Sequence, residues 1–498
     1  MTQTLTHLLE RGPADRSAIV VPDGPVLTYA RLRELVTDGA ARLAALGVRS
    51  GDRVALALPN GPEAIVLFLA AALGAVAYPL NPAYKEHEFR FYLEDAGARI
   101  LLVPPGEGQA ARLALPPGGI VIEAEIDARG QLQMASAQAA DPGLTAEPSK
   151  PDDVALVLHT SGTTSRPKRA PIRHRHLVAS AANTSAHYQL SEEDISLCVM
   201  PLYHVHGLVA SALAALAAGG TVVVPRRFSP LHFWPLAWQY RPTWFSASPT
   251  LHRMILMRTT NDRPEGTERL RFVRSCSSAL PPAQMAEMEA RYGVPVLEAY
   301  GMTEACHQMA SNPLPPGRRQ PGSVGPGTGV ELAIMAEDGS LLEPGTAGEL
   351  VIRGPNVIEG YESNPEANAA SFPGGWFRTG DLGVLDGEGY LTLSGRLKEL
   401  IDRGGEKIAP LEIDAVLEAH PAVAEAVSFG VPHPTWGEEV AAAVVLNSPT
   451  DEKSLLAYCR EHLVEFKVPR HLYIVQSIPR TSTGKVQRRF VAEACLSQ

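Results

Sequence analysis

The sequence predicts an α/β protein with a large N-terminal domain of layered αβ subdomains, a β-rich subdomain within it, and a small α+β C-terminal domain. Three observations carry this. Apolar runs of strand length alternate with helix-length amphipathic segments through most of the N-terminal part, the pattern of a mainly parallel sheet with helices on its faces. Beyond about residue 321 the texture changes to short strands punctuated by Gly and Pro, which reads as β-rich. The chain has 498 residues, and a prior of about 150 residues per domain implies several units rather than one core. The boundaries expected are 1–396 for the N-terminal domain, with its β-rich subdomain at about 321–396, and 397–498 for the C-terminal domain.

Taken in order, Tyr29 to Leu46 has an amphipathic helical pattern stopped by Gly47, and Arg53 to Leu58 is a strand. The uncharged, Ala-rich run from Ala64 to Leu80 falls short of a comfortable membrane span and reads as a buried core helix. A helix around Glu86 to Asp95 and a strand from Arg99 to Val103 follow, and then a weakly patterned Pro/Gly/Ala-rich stretch to about Ser149, expected as variable surface. Val154 to Leu158 is a short buried strand. A helix near His176 to Tyr188, a strand from Ser196 to Met200, and two further αβ rounds through Leu208 to Val224 and Trp244 to Ser275 complete the layered part. The β-rich segment shows strands at Val330 to Met335, Gly348 to Arg353 and Gly389 to Leu393. The last hundred residues hold two helix patterns and strands around Ala424 to Val431 and Ala441 to Leu446.

Composition narrows the function class. A net charge of -10 gives no overall basic field, which argues against nucleic acid as the main partner. Five scattered cysteines without a Cys-x-x-Cys point to free thiols in a reducing, cytoplasmic setting. No secretory pattern is read at the N-terminus and no Ser-Lys-Leu tag at the C-terminus, so neither export nor a membrane partner is expected.

The stretch from His159 to Lys168 is the chemical signal. It leaves a buried strand as a loop whose hydroxyls (Thr160, Ser161, Thr163, Thr164), Gly162 backbone and Lys168 ammonium could converge on phosphate oxygens. Its spacing is not that of a Walker loop. Arg166, Lys168, Arg169, Arg173 and Arg175 cluster around it and suggest a concentrated phosphate ligand. His204 and His206 form a His-x-His with no third ligand pattern, so no transition-metal site is expected.

Six motifs then occur in a telling order: this loop, Pro201-Leu-Tyr-His-Val-His-Gly207, Glu298-Ala-Tyr-Gly-Met-Thr-Glu304, Trp376-Phe-Arg-Thr-Gly-Asp381, Gly395-Arg-Leu-Lys-Glu-Leu-Ile-Asp402 and Pro479-Arg-Thr-Ser-Thr-Gly-Lys485. Together they resemble the adenylate-forming superfamily of acyl-CoA synthetases, peptide-synthetase adenylation domains and luciferases, across nearly the whole chain. The resemblance implies that a carboxylate attacks the α-phosphate of ATP and that a thiol then displaces AMP. It implies ATP, Mg²⁺ and coenzyme A as cofactor and co-substrates, and a monomer or homodimer.

The roles it implies fall on particular residues. Lys485 would neutralise charge between the acid and the α-phosphate, with Lys168 on the phosphates. Glu304 would hold Mg²⁺ and Thr303 a phosphate oxygen. Tyr300 would face adenine, with Glu298, Ala299, Gly301 and Ser278 around it. Asp381 would accept the ribose hydroxyls and Arg396 support them. Lys398 would be the hinge of a mobile C-terminal domain, and Gly404, Gly405 and Glu406 would help form the CoA tunnel.

Within the superfamily the motifs are most similar to those of oxalate-CoA ligases, through Ser165, Arg274-Ser-Cys-Ser277 and Met302-Thr-Glu-Ala305 followed by His307. A small dianion needs donors at the far end of the acid pocket, which His206, Ser277, Ser278 and His307 would provide. If the segment after Glu304 turns helically, Glu304 and His307 share a face. Ligation of another short, medium-chain or aryl acid, and loading of a carrier-protein thiol, are the alternatives that share the ATP motifs. Two departures from the expected pattern stand out: Arg169-Ala170 in place of Gly-Val, and Gly301 in place of Ala.

Overall fold

A computed structural model describes residues 4–160, 167–480 and 486–497. The chain divides into two units. The first comprises Met1–Pro321, Gly325–Glu331 and Arg353–Phe377, and the second Gly322–Val324, Leu332–Ile352 and Arg378–Gln498.

The first unit is built on two large sheets. One has seven strands in the order Leu132–Ser136, Ile120–Ile126, Ile100–Val103, Arg53–Leu56, Val76–Pro79, Val154–His159 and Arg169–Arg173. Its inner pairs are parallel and its two outermost pairs antiparallel. The other has eight strands in the order His307–Ser311, Val296–Met302, Phe272–Ser275, Trp244–Ala247, Ile195–Cys198, Thr221–Val223, Ser17–Val20 and Val26–Thr28, again parallel inside and antiparallel at both ends. Parallel strands covered on both faces should be continuously apolar. Trp244–Ala247 and Phe272–Ser275 are buried at every position.

The helices follow from the same rule. Tyr29–Ala45 starts where the Thr28 hydroxyl accepts the Arg31 N–H at 3.2 Å, and it buries Leu32, Leu35, Val36, Gly39, Ala40 and Leu43 along one stripe. Pro62–Gly74 is buried almost all round, as a helix apolar on every face must be. Each such side chain contributes about 1.5–3 kcal/mol on leaving water. Among the described residues no helix is long and apolar enough to cross a membrane.

The second unit is built on a four-stranded sheet of Glu331–Met335, Gly348–Arg353, Phe377–Leu385 and Leu391–Arg396, and a five-stranded sheet. In the latter the long antiparallel pair Val423–His433 and Gly437–Leu446 is joined by the hairpin of Ile401–Arg403 and Glu406–Ile408, and by His471–Ile474. Helices Pro410–Ala419, Glu452–His462 and Arg488–Leu496 accompany it.

Most elements lie where the sequence pattern puts them, with three differences. The Ala-rich run is split, because Gly74 ends the helix and the remaining apolar residues form strand Val76–Pro79. The stretch expected as irregular surface holds helix Gln109–Ala114 and the antiparallel pair Ile120–Ile126 and Leu132–Ser136. That pair alternates buried and exposed residues, a weaker signal than a continuous apolar run. The third difference concerns the segment after Glu304. It makes a single 3-10 turn, Thr303–Ala305, and then enters strand His307–Ser311, so no helix carries Glu304 and His307 on a common face.

Candidate active site

The antiparallel pair Val154–His159 and Arg169–Arg173 brings the two ends of the hydroxyl-rich loop together. The Thr160 N–H donates to the Lys168 carbonyl at 2.8 Å. Ser161, Gly162, Thr163, Thr164 and Arg166 lie outside the described residues.

Arg169, one of the two unexpected residues, explains itself here. Its guanidinium bonds Asp95 at 2.5 Å and Glu362 at 3.1 Å, and its carbonyl accepts the Glu362 N–H at 3.0 Å. His159 joins from the other strand, with Nε2 3.0 Å from Asp95 and Nδ1 2.8 Å from the Tyr78 hydroxyl. Burial holds the His159 ring below its usual range, against the opposing pull of Asp95. Arg173 and Arg175 pair with Glu359, and Arg175 also with Asp152. The basic cluster expected to meet phosphate is therefore committed at 169, 173 and 175 to internal carboxylates, because the segment 359–362 returns alongside it.

That returning segment delivers a residue that motif reading missed. The Tyr361 hydroxyl donates to Glu304 Oε1 at 2.8 Å, and the Lys168 ammonium lies 4.4 Å from the centre of the Tyr361 ring. Burial, reinforced by the Glu304 carboxylate, drives the Tyr361 phenol far above its ordinary pKa, so it stays a donor. Glu304 is buried, with Thr303 half-buried beside it. Lys168, Tyr361 and Glu304 thus form one contact chain, whose outer members the sequence singles out.

Strand Val296–Met302 carries the next four predicted residues. Ala299 is buried, and Tyr300 and Gly301 are half-buried. The Glu298 side chain turns inward and accepts the Leu280 N–H at 2.8 Å. Burial raises its carboxyl to about 7 even though that hydrogen bond opposes the shift. Gly301 is required by close approach: a Cβ there would sit 2.0 Å from the His307 carbonyl oxygen. Ser278 is exposed.

The strand ends beside a polar cluster at the heart of the unit. Arg274 is 0% exposed, and among the described residues no carboxylate lies within ion-pairing distance. Its Nε donates to Tyr188 at 2.9 Å and Gln308 at 3.1 Å, its Nη1 to Ser246 at 2.8 Å, and its Nη2 reaches His307 Nδ1 at 3.2 Å. His206 stands over the same group, with Nε2 2.6 Å from the Ser246 hydroxyl and Nδ1 2.8 Å from the Ser277 hydroxyl. The two imidazoles are 4.8 Å apart between ring centres. Burial, and next the Arg274 charge, push both far below the usual imidazole range, so both are neutral.

His206 begins the helical segment His206–Leu213. Gly207 lets that segment start against the preceding loop, since a Cβ would meet the Pro201 carbonyl at 2.3 Å. Ser277, Cys306 and His307 all have positive φ, at 82°, 52° and 102°. Strain of this kind costs about 1–3 kcal/mol per residue and persists where the surroundings enforce it, commonly at functional sites. Of the four residues expected at the acid, the structure brings His206, Ser277 and His307 to one cluster, whereas Ser278 is exposed. The structure adds roles for Arg274, which the sequence offers only as the first residue of the motif Arg274-Ser-Cys-Ser277, and for Ser246 and Tyr188, which no motif contains.

In the second unit Asp381 and Arg396 face each other across an antiparallel pair, with Nε 2.6 Å from the carboxylate. Lys398 is exposed in the short turn Leu397–Glu399. Gly404, Gly405 and Glu406 are exposed in the hairpin that carries the predicted tunnel segment. Lys485 lies outside the described residues.

Residues 5–362 match the family model of AMP-binding enzymes, and residues 412–485 that of the AMP-binding enzyme C-terminal domain. Among curated proteins, "Probable CoA ligase CCL9" of Humulus lupulus is 49% identical, covering 99% of this chain and 97% of its own. The oxalate-CoA ligase of Arabidopsis thaliana is 45% identical, covering 100% and 99%. Among solved structures, ATP-bound MatB from Rhodopseudomonas palustris superposes with a TM-score of 0.89 at 32% identity, covering 99% of this chain and 98% of that one.

Proposed function

The chain belongs to the AMP-binding enzymes, as an adenylate-forming acid-CoA ligase, and from that premise we propose that its acid is oxalate or a closely similar short dicarboxylate. The reaction would join oxalate, ATP and CoA into oxalyl-CoA, AMP and pyrophosphate. The observation that carries this reading is the acid pocket: neutral His206 and His307 and the Ser277 hydroxyl are backed by a buried guanidinium with only neutral partners. A buried cation without a counter-ion favours an anion nearby. A fatty or aryl acid would leave these donors unpaired at about 1–3 kcal/mol each.

The remaining roles follow the chemistry of the residues. Two anions must meet, so positive charge and positioning dominate the first step. Lys168, seated against Tyr361, would hold phosphate oxygens. Lys485 is assigned from its Thr-Ser-Thr-Gly-Lys motif to the charge that develops between acid and α-phosphate. Tyr300, Ala299, Gly301 and Ser278 would surround adenine, whereas the Glu298 carboxyl supports that wall by holding Leu280. Asp381 and Arg396 would take the ribose, exchanging part of their mutual pair for its hydroxyls.

The residues at Glu304 also fit Mg²⁺. One buried carboxylate with the Thr303 hydroxyl beside it is the sparse protein contribution a hydrated Mg²⁺ on ATP requires. When bound, the ion would neutralise charge on the phosphates. Five buried, free cysteines support a reducing, cytoplasmic setting.

Pyrophosphate release across oxalate, malonate, acetate, octanoate and coumarate, with and without CoA, tests the reading. Oxalate should give the highest kcat/KM and should yield a CoA thioester. A clear preference for octanoate or coumarate overturns the substrate, and thioester formation only on a carrier protein overturns the use of free CoA.

A further inference from the structure

We propose that Arg274 is a positioning residue that sets the tautomers of His206 and His307, so that the Ser277 hydroxyl and the His307 Nε2–H both become donors toward the far end of the acid. The inference rests on the acid-ligase reading above and deepens it. It explains why the pocket would accept a carboxylate there rather than merely something polar.

A guanidinium can only donate. Its Nη2–H aimed at His307 Nδ1, 3.2 Å away, makes Nδ1 an acceptor. In a neutral ring the proton then sits on Nε2. That atom has no hydrogen-bond partner among the described residues and, although His307 is buried, keeps some exposure. The opposite tautomer would set two N–H groups against each other.

The second branch runs through Ser246. Arg274 Nη1 donates to the Ser246 oxygen at 2.8 Å and also points at His206 Nε2, 3.3 Å away. With its oxygen accepting, the Ser246 hydroxyl gives its own proton to His206 Nε2 at 2.6 Å. His206 is then protonated on Nδ1 and donates to the Ser277 oxygen at 2.8 Å. The Ser277 proton is left to point elsewhere, and Ser277 is only half-buried. His206 has both nitrogens engaged, so what it offers an acid passes through Ser277.

Both branches end the same way, as a donor presented to the pocket. With the Ser277 oxygen already accepting from His206 and His307 Nε2 able only to donate, the pair presents mainly donors and favours a group that only accepts. A carboxylate does, whereas an amide or alcohol brings a hydrogen that must clash or turn away.

Oxalate-dependent pyrophosphate release by the full-length enzyme tests this with Arg274→Met, Ser246→Ala and His307→Gln. Arg274→Met should raise KM for oxalate about tenfold or more while leaving KM for ATP near wild type. Ser246→Ala, which keeps the arginine, should raise KM for oxalate by a smaller factor. His307→Gln sets an amide N–H where Nε2–H stood, with no tautomer to choose. Arg274→Met should therefore cost less in that background, a non-additive double-mutant cycle. Additive effects, or KM for oxalate and ATP rising together, overturn the proposal.

If Arg274→Met does not fold, nitrogen NMR of histidine-labelled wild-type enzyme decides, with His307→Gln identifying the signal. Protonation on His307 Nε2 supports the inference and protonation on Nδ1 overturns it. This measurement needs no acid, so it stays readable even if the substrate screen shows that oxalate is the wrong acid.

Discussion

Replacing Tyr361 by Phe removes one hydroxyl and leaves the ring on which Lys168 rests 4.4 Å from its centre. What is lost is the 2.8 Å donation to the buried Glu304 carboxylate. A hydrogen bond to a charged acceptor contributes about 1.5–3 kcal/mol, and each 1.4 kcal/mol is tenfold, so a carboxylate that must be held in place should slow adenylation by about 10- to 150-fold. If Glu304 holds Mg²⁺, the loss should also appear as a rise in the Mg²⁺ concentration giving half the maximal rate. Pyrophosphate release at saturating oxalate and ATP, titrated with Mg²⁺, reads both effects. A rate within about twofold of wild type and an unmoved Mg²⁺ midpoint would refute the idea that Tyr361 orients the metal carboxylate.

Lys485→Ala should cut acyl-AMP formation by about 10²- to 10³-fold, as loss of one preorganised donor does; undiminished adenylate formation in a single-turnover assay would remove Lys485 from the mechanism. Glu298 makes a pH prediction. Its carboxyl is raised to about 7 in the fold, so between the unfolded value near 4.3 and 7 the folded state holds more protons, and stability falls as pH rises through that window. The full effect is about 4 kcal/mol, so the melting-temperature gain of Glu298→Gln over wild type should grow from pH 5 to pH 8; a constant gap would contradict it. Arg169→Gly removes the guanidinium that Asp95 and Glu362 share at the base of the hydroxyl-rich loop, leaving Asp95 to His159 and Glu362 to Arg53. Because each carboxylate keeps one partner, the cost should fall below the about 3–5 kcal/mol of a fully broken buried pair, and calorimetry should show a lowered transition, with an unchanged one counting against the network.

What the sequence makes legible divides along physical lines. Largely apolar runs such as Val154–His159 and Trp244–Ala247 are read correctly because burial on both faces selects apolar residues at most positions. The hairpin of Ile120–Ile126 and Leu132–Ser136 is not, since one half-exposed edge strand looks much like loop. Among site residues, His206, Ser277 and His307 are found because each is a polar residue inside a motif that carries the resemblance to oxalate-CoA ligases. Arg274, between Val273 and Ser275 in a fully buried strand, gives no periodic signal, and its importance appears only when its neutral partners are counted. Tyr361 is missed for a different reason: it reaches Glu304 across 57 residues of sequence, which no local spacing can announce.

The segment from Thr303 to His307 ties the two halves of the chemistry together. Glu304, proposed to hold the metal, and His307, proposed to meet the acid, are three residues apart on a turn whose carbonyls are each claimed. Thr303 O accepts the Cys306 N–H at 3.0 Å, Glu304 O the Ile358 N–H at 2.8 Å, Ala305 O the Asn356 amide at 2.7 Å, and Cys306 O the Ser180 hydroxyl at 2.7 Å. At the end of the turn the His307 carbonyl leaves no room for a side chain at 301. A turn fastened at every peptide cannot lengthen or swing, so the spacing between the metal-side and acid-side groups is set by covalent geometry. Oxalate has its carboxylates on adjacent carbons, so a site that selects it must measure a very short acid, and under the proposed roles a clamped turn would do this without moving parts. The left-handed conformations at Cys306 and His307 are the local strain this compactness requires. The hydrogen bonds that fasten the turn hold that strain in place.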